Sequence, residues 1–197
     1  MGCLYSKKRK EALRKNKNVT TNSKKKYLTE NLQPKDDVQC NGIPQNFPEI
    51  TEEQKRLILE SWNIIQTDMA KVGVVMFMNL FQTHPDVQDV FMPFKGLTRE
   101  ELRHNSELKT HALRVMGTVE KCLARINEPK KVIEMLNELG ARHIMYTAKV
   151  DYIDLIGPQF ILAIAPNLGD KWTSEAEEAW SDLFKMIASV MKGAMSF

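Results

Sequence analysis

Two histidine-containing segments decide how this chain folds: KTHALRV at residues 109–115 and LGARH at residues 139–143. Each lies in a stretch where apolar side chains recur at the period of an amphipathic α-helix. Residues 127–129 (NEP) separate the two stretches and interrupt helical structure between them. The sequence therefore predicts two helices that fold back on each other, with His111 and His143 on their inner faces.

Both histidines share a helical face with apolar residues, taking about 100° of rotation per residue. The neighbours of His111 on its face are Leu108, Val115, Thr118 and Cys122. Those of His143 are Val132, Leu136 and Leu139. A neutral imidazole is a good ligand for haem iron, and one from each side completes an axial pair. A histidine on an apolar face is more often a hydrogen-bonded core residue, so the spacing alone leaves both interpretations open.

Helical periodicity extends outward from this pair over most of the chain. A capping box at Thr51 and Gln54 predicts where the first helix begins. The predicted helices cover about 51–66, 68–83, 85–91, 106–126, 130–146 and 151–165, with a short turn capped by Thr98 and a last helix capped by Thr173 or Ser174. We expect Pro158 to bend its helix and residues 166–169 to form a turn. Hairpin turns between alternating apolar residues are missing from the sequence, so we predict an all-α domain of about eight helices over residues 49–197.

Charge divides the chain of 197 residues and 22.7 kDa into a basic arm and an acidic body. Residues 1–35 hold 11 Lys and Arg against 2 acidic residues, a net charge of +9. The remaining residues hold 17 basic and 23 acidic side chains, a net charge of −6. We therefore predict a disordered basic tail over residues 1–48, and a body that does not bind nucleic acid.

Several classes of protein are disfavoured by what the sequence lacks. Three cysteines are too few and too scattered for a disulfide scaffold, which favours a reducing, cytosolic compartment. The longest uninterrupted apolar run, Phe160–Ala165, is far short of a membrane span, and no secretory signal is present. No CxxC, HExxH or phosphate-binding loop occurs, and no Ser or Cys nucleophile has an evident base. Whether the protein is an enzyme stays open.

The N-terminus carries a lipidation pattern. Residues 1–6 (MGCLYS) match the N-myristoylation pattern, with Gly2 as the acylated residue and Cys3 as a neighbouring palmitoylation site. One myristoyl chain binds membranes only marginally. A palmitoyl chain on Cys3 and the attraction of the basic arm to an anionic membrane surface strengthen the binding. We expect a peripheral protein on the cytoplasmic face of a membrane, the plasma membrane in particular. An unmodified, solvated tail is the alternative.

Residues 51–195 resemble the globin family. The 109–115 segment is similar to the globin distal segment and 139–143 to the proximal segment. Thr83-His84-Pro85, followed by Phe91, resembles the short proline-led helix and the haem-stacking phenylalanine of the family, and Trp62 stands where its first helix has a tryptophan. Within the family the sequence resembles the neuroglobin and globin X branch, although it lacks the cysteines expected there after Phe91.

The resemblance implies haem b as cofactor and a role for each matching residue. His143 is the proximal iron ligand, its other ring nitrogen bonded to the Leu139 carbonyl, and His111 is the distal ligand. The other residues expected at the haem are Phe91, stacked on the porphyrin; Phe94, at its edge; Val115, beside the ligand site; and Arg114, at a propionate. Core packing for both phenylalanines and solvation for Arg114 are the alternatives. Cys122 is expected to be a buried small hydrophobic residue, and a Cys40–Cys122 disulfide stays open.

Three functions follow as hypotheses. The first is a membrane-associated, six-coordinate haem protein that takes oxygen, nitric oxide, carbon monoxide or nitrite and performs electron transfer or nitrite reduction with an unknown electron donor. The second is a reversible oxygen carrier, in which His111 donates a hydrogen bond to the ligand. The third is a haem-free helical adaptor at membranes, which the presence of both histidines disfavours.

Overall fold

Helices make up all the regular structure in the part of the chain that the computed structural model describes, residues 49–146 and 148–196. The eight α-helices are α1 Glu52–Ile65, α2 Met69–Thr83, α3 Pro85–Val90, α4 Arg99–His104, α5 Ser106–Leu123, α6 Pro129–Met145, α7 Ile156–Leu168 and α8 Ser174–Met195. Short 3-10 turns lie at Gln66–Asp68, Met92–Phe94, Val150–Leu155 and Gly169–Lys171. The prediction of an all-α domain of about eight helices is confirmed. The predictions for residues 1–48, including Gly2, Cys3 and Cys40, lie outside the described residues.

The first helix begins where its capping signal predicts. Thr51 Oγ1 accepts a hydrogen bond from the Gln54 backbone N–H at 3.2 Å, and Gln54 Oε1 accepts one from the Thr51 N–H at 2.9 Å. The two bonds satisfy donors that a helix start otherwise leaves without partners. The inner face of α1 is formed by Ile58, Trp62 and Ile65, which are all buried.

The first and last helices meet in the centre of the core. The Trp180 indole N–H of α8 donates to Ser61 Oγ of α1 at 2.9 Å, and the rings of Trp62 and Trp180 lie 6.3 Å apart. Phe160 of α7 packs on the same tryptophan at 5.1 Å and on Phe184 at 4.6 Å. Three helices, the first and the last two of the domain, thus share one aromatic core, in which both tryptophans are buried.

The two histidine-bearing helices follow each other across the predicted break. Helix α5 ends at Leu123, three residues earlier than predicted, and residues 124–127 turn the chain into α6. Pro129 occupies the first position of α6, where its missing N–H has no helical partner to lose. Helix α6 then packs closely on α8, because a Cβ added at Gly140 would lie 2.5 Å from the Met191 carbonyl oxygen.

Two predictions about the segment before α8 are wrong. Residues 150–155 form a 3-10 helix, so α7 begins at Ile156 and Pro158 lies in its first turn. A proline in the first turn does not bend a helix, because the backbone N–H that it lacks would have no partner within the helix there. The helix also continues through Pro166 to Leu168, where we predicted a turn. Pro166 lies in the last helical turn and removes only one i to i−4 bond, and the Asn167 side-chain amide donates to the Ala163 carbonyl at 2.9 Å. The chain turns at Gly169, whose φ of 51° favours glycine.

One stretch of the described residues, Glu52–Thr83, is long and apolar enough to cross a membrane by length and composition. In the structure the Gln66–Asp68 turn divides it into α1 and α2. The apolar faces of both helices pack into the protein, as Trp62 and Phe77 illustrate. A core helix of a soluble domain passes the same test, so this finding is weak support for a span.

Candidate functional site

His143 lies half-buried in the last turn of α6, and one of its ring nitrogens makes a hydrogen bond within the helix. Its Nδ1 donates a hydrogen bond to the Leu139 carbonyl, one turn back, at 2.8 Å. A carbonyl can only accept, so the proton is on Nδ1 and the lone pair of Nε2 is free to bind a metal. This is the hydrogen bond predicted from the sequence, and it orients the ring in the manner of metal-binding histidines.

His111 lies on the inner face of α5 against two phenylalanine rings. Its imidazole centroid is 5.0 Å from that of Phe77 and 5.5 Å from that of Phe91. Burial lowers the pKa of His111 below its ordinary 6.5, and electrostatic interactions with His143 and Arg114 lower it further. The ring is therefore neutral at physiological pH, the form that binds a metal, and it lies within electrostatic range of His143.

An aromatic cluster surrounds the His111 side of the site. Phe91 and Phe94 stack at 5.8 Å with 22° between their planes, and Phe81 lies 5.7 Å from Phe91 and 6.1 Å from Phe94. Phe94 is buried and Phe91 is half-buried. Both therefore make core contacts, and their contact with a haem stays a prediction.

The remaining predicted site residues lie on the same two helices. Val115 is half-buried one turn beyond His111, and Leu139 is half-buried beside His143. Arg114 is exposed and makes no ion pair with any described residue. A solvated guanidinium at this position is compatible with either of its predicted roles.

Cys122 behaves as the sequence predicted. Its side chain is buried, and burial raises the pKa of the thiol to about 12, against a weaker opposing effect of Arg125. It forms no disulfide within the described residues. The Cys40–Cys122 pairing stays untested, because Cys40 lies outside them.

Sequence reasoning missed two features of the site. Phe77 is not among the residues predicted for the site, yet its ring is in contact with His111. Gly140 gave no signal beyond its place before His143, yet it lets α6 approach α8 and so sets the position of the proximal segment. Neither feature is visible in helical periodicity, because each depends on which helix lies opposite.

The two histidines supply too few ligands to hold a metal ion by themselves, so they fit a metal that is already part of a cofactor. Among the described residues, no group of three or more His, Cys, Asp or Glu side chains could hold a metal ion. Two imidazoles on different helices could hold a metal whose remaining ligands come from a bound cofactor.

The family of this chain is decided by comparison with known proteins. The sequence model of the globin family matches residues 74–191. The chain belongs to the globin family. Family membership supports haem as the cofactor of this chain.

Known relatives cover nearly all of the helical part of this globin. It is 28% identical over 148 residues to an anaerobic nitrite reductase of Brassica napus, spanning 74% of this chain and 91% of the relative. It is 24% identical over 162 residues to cytoglobin-2 of Danio rerio, spanning 81% of this chain and 90% of the relative.

A solved structure has the same fold. The hexacoordinated haem protein of an anhydrobiotic tardigrade, solved at pH 4, superposes with a TM-score of 0.71 at 20% identity. The match covers 77% of this chain and 97% of that one. At this identity the likeness shows the fold alone.

Proposed function

We propose that this globin binds haem b through His143 on the proximal side and His111 on the distal side, and works as a redox protein. The observation that carries the proposal is the pair of imidazoles on the inner faces of α5 and α6: burial favours the neutral form of His111, and the Leu139 carbonyl orients the ring of His143. Haem supplies the redox-active iron and the binding site for small ligands. The type b cofactor is supported by the sequence, which has no CxxCH motif for covalent attachment.

The protein side chains set what reaches that iron. His143 holds the cofactor through Nε2, and its bond to the Leu139 carbonyl keeps the ring oriented. His111 would compete with an incoming ligand, and the rings of Phe77 and Phe91 pack against its imidazole. Val115 limits the size of a ligand beside His111, and the exposed Arg114 guanidinium can pair with a haem propionate.

Oxygen, nitric oxide, carbon monoxide and nitrite are the ligands we propose. The plant relatives are named anaerobic nitrite reductases, which supports nitrite reduction as well as electron transfer for this globin. Either activity needs an electron donor, whose identity the site does not reveal. The resemblance to the neuroglobin and globin X branch supports ligation of iron by the distal histidine.

We further propose that the protein is held at the cytoplasmic face of the plasma membrane by acylation of Gly2 and Cys3. The support is the MGCLYS pattern together with the net charge of +9 over residues 1–35. A tethered globin exchanges electrons with membrane donors, whereas a diffusing oxygen carrier gains nothing from an anchor.

An absorption spectrum of the purified protein tests the ligation. We expect sharp, split low-spin bands in the reduced, ligand-free protein, and a high-spin spectrum in the His111→Ala variant. An unchanged spectrum in that variant would show that His111 does not bind the iron. A high-spin spectrum in the unaltered protein would favour oxygen carriage, and absence of a Soret band after haem-replete expression would favour the haem-free adaptor.

Two variants test the tether. Gly2→Ala should release the protein from the membrane fraction of cells to the soluble fraction, and Cys3→Ser should weaken its retention. Both should leave the absorption spectrum unchanged, so the tether and the haem site are tested separately. If both variants stay in the membrane fraction to the same extent as the unaltered protein, acylation is not the anchor.

A further inference from the structure

A groove on the outer side of the domain has the features of a docking site that the haem chemistry does not use. It lies between α2, α4 and the start of α5, with a volume of about 470 Å³. That volume is in the range of about 300–1,000 Å³ that ligand sites in proteins occupy. A smaller hollow of about 130 Å³ shares Met78 and Arg99 with it, so the depression is elongated.

The floor of the groove is apolar and lies along one helix. Ala70, Val74, Val75 and Met78 recur along the outer side of α2, and Val75 is 38% exposed. From Ala70 to Met78 the helix rises about 12 Å, at about 1.5 Å per residue. This is roughly the length that two to three turns of a docked helix cover.

Cations stand on both sides of that floor. Lys71 projects from α2, Arg99 and Arg103 from α4, and Lys109 from α5, and all four are exposed. Asp68 is the one carboxylate in the lining. Glu100 pairs with Arg103 at 3.6 Å, whereas the other three cations make no ion pair within the described residues. The groove therefore presents uncompensated positive charge on a body whose net charge is negative.

The arrangement selects the kind of partner. Because the cations come from three helices and flank about 12 Å of apolar floor, one small anionic group cannot contact them all. A peptide segment with an apolar face and several carboxylates matches both features at once. The one aromatic side chain in the lining of the two hollows, Phe81, is buried, so no exposed ring is offered on which a nucleic-acid base would stack. The chain's own basic arm has the wrong sign of charge.

We propose that this groove is a docking site for an acidic amphipathic helix of a partner protein. The groove lies behind the distal side of the haem site: Met78 follows Phe77, which contacts His111, and Lys109 precedes His111 on α5. A docked partner would therefore contact the two helices that carry the distal residues.

A charge-reversal experiment on the full-length, haem-loaded protein tests the proposal. The probe is a fluorescent synthetic peptide of about 18 residues, roughly five helical turns, with leucine on one face and glutamate on the other. Arg99→Glu with Arg103→Glu alters the groove. The control, Lys121→Glu with Lys131→Glu, makes the same change in net charge away from the groove. The two pairs are matched, because Arg103 and Lys131 are ion-paired whereas Arg99 and Lys121 make no ion pair within the described residues.

We expect the groove pair to weaken peptide binding by about tenfold or more, and the control pair by less than about twofold. Val75→Asn should also weaken binding, while Leu59→Asn, at the same 38% exposure on α1, should not. Equal losses in the two charge pairs would mean attraction by overall charge and would overturn the proposal, as would failure of the peptide to bind. Loss of binding to phosphatidylserine vesicles in the groove pair, with peptide binding unchanged, would assign the face to lipid instead. None of these readouts depends on how the iron is ligated.

Discussion

At the residue scale, the protonation of His111 couples the site to pH. Burial lowers the pKa of its imidazole below the ordinary 6.5. Between that lowered pKa and 6.5, the unfolded chain binds more protons than the folded protein, so stability rises with pH across this window. We expect the free energy of unfolding of the haem-free protein to decrease as the pH falls through this window, and His111→Leu to reduce that decrease.

Urea unfolding of the haem-free protein at several pH values from about 7.5 to about 5 measures this effect. The difference between the unaltered protein and the variant isolates His111 from the other titrating groups. Identical pH dependence of the two proteins would show that His111 is not buried as described.

The thiol of Cys122 should be chemically inert while the protein is folded. With a pKa of about 12 in place of 9.0, its thiolate fraction at neutral pH falls by about a thousandfold, and burial also blocks access. In a Cys3→Ser, Cys40→Ser variant, iodoacetamide should alkylate Cys122 slowly in the native state and rapidly in urea, as followed by mass spectrometry. Rapid native labelling would contradict the burial of this residue.

At the scale of helices, one close contact positions the proximal segment. Gly140 lies against the backbone of α8, where an added Cβ would be 2.5 Å from the Met191 carbonyl oxygen. Backbone cannot move aside as a flexible side chain does, so Gly140→Ala should lower the free energy of unfolding by about 1–3 kcal/mol. It should also weaken haem retention, because α6 carries His143 three residues further on.

Gly117 provides the matched control for this prediction. It lies inside α5, and nothing stands within 4 Å of an added Cβ. Gly117→Ala should therefore be neutral or stabilising by up to about 1 kcal/mol, since alanine has the higher helix propensity. Urea unfolding of both variants distinguishes the contact from propensity, and equal effects would mean that α6 and α8 are not so close.

At the scale of the whole molecule, one buried hydrogen bond joins the first and last helices. The Trp180 indole N–H donates to Ser61 Oγ, and Ser61 in turn donates to the carbonyls of Leu57 and Ile58. Ser61→Ala leaves the buried indole without a partner and should cost about 1–3 kcal/mol of stability. Thr67→Ala, which removes an exposed hydroxyl bonded to Ile64, should cost less than about 0.5 kcal/mol.

A double-mutant cycle with Trp180→Phe separates the hydrogen bond from packing. Removing both partners should cost less than the sum of the single changes, because no buried donor is then left without an acceptor. Strictly additive losses in urea unfolding would show that the two side chains do not interact.

The sequence by itself determined where helices begin and which faces of the histidine-bearing helices point inward, because these features depend on residues that are close together in the chain. Capping boxes at Thr51 and Thr98 mark helix starts, and helical periodicity placed the inner faces of α5 and α6. The order and spacing of the histidine segments identified the family that comparison later confirmed. The bond from His143 to Leu139 was foreseeable as well, since it spans a single helical turn.

The tertiary structure decided whatever depends on which elements lie opposite each other. Periodicity could not show that Phe77 contacts His111, that Gly140 meets α8, or that three helices enclose a basic groove. It also failed at Pro158 and Pro166, because the effect of a proline depends on whether it falls in a first turn, a last turn or between them. The sequence specifies the faces of its helices through local spacing, but contacts between distant residues exist only once packing brings those faces together.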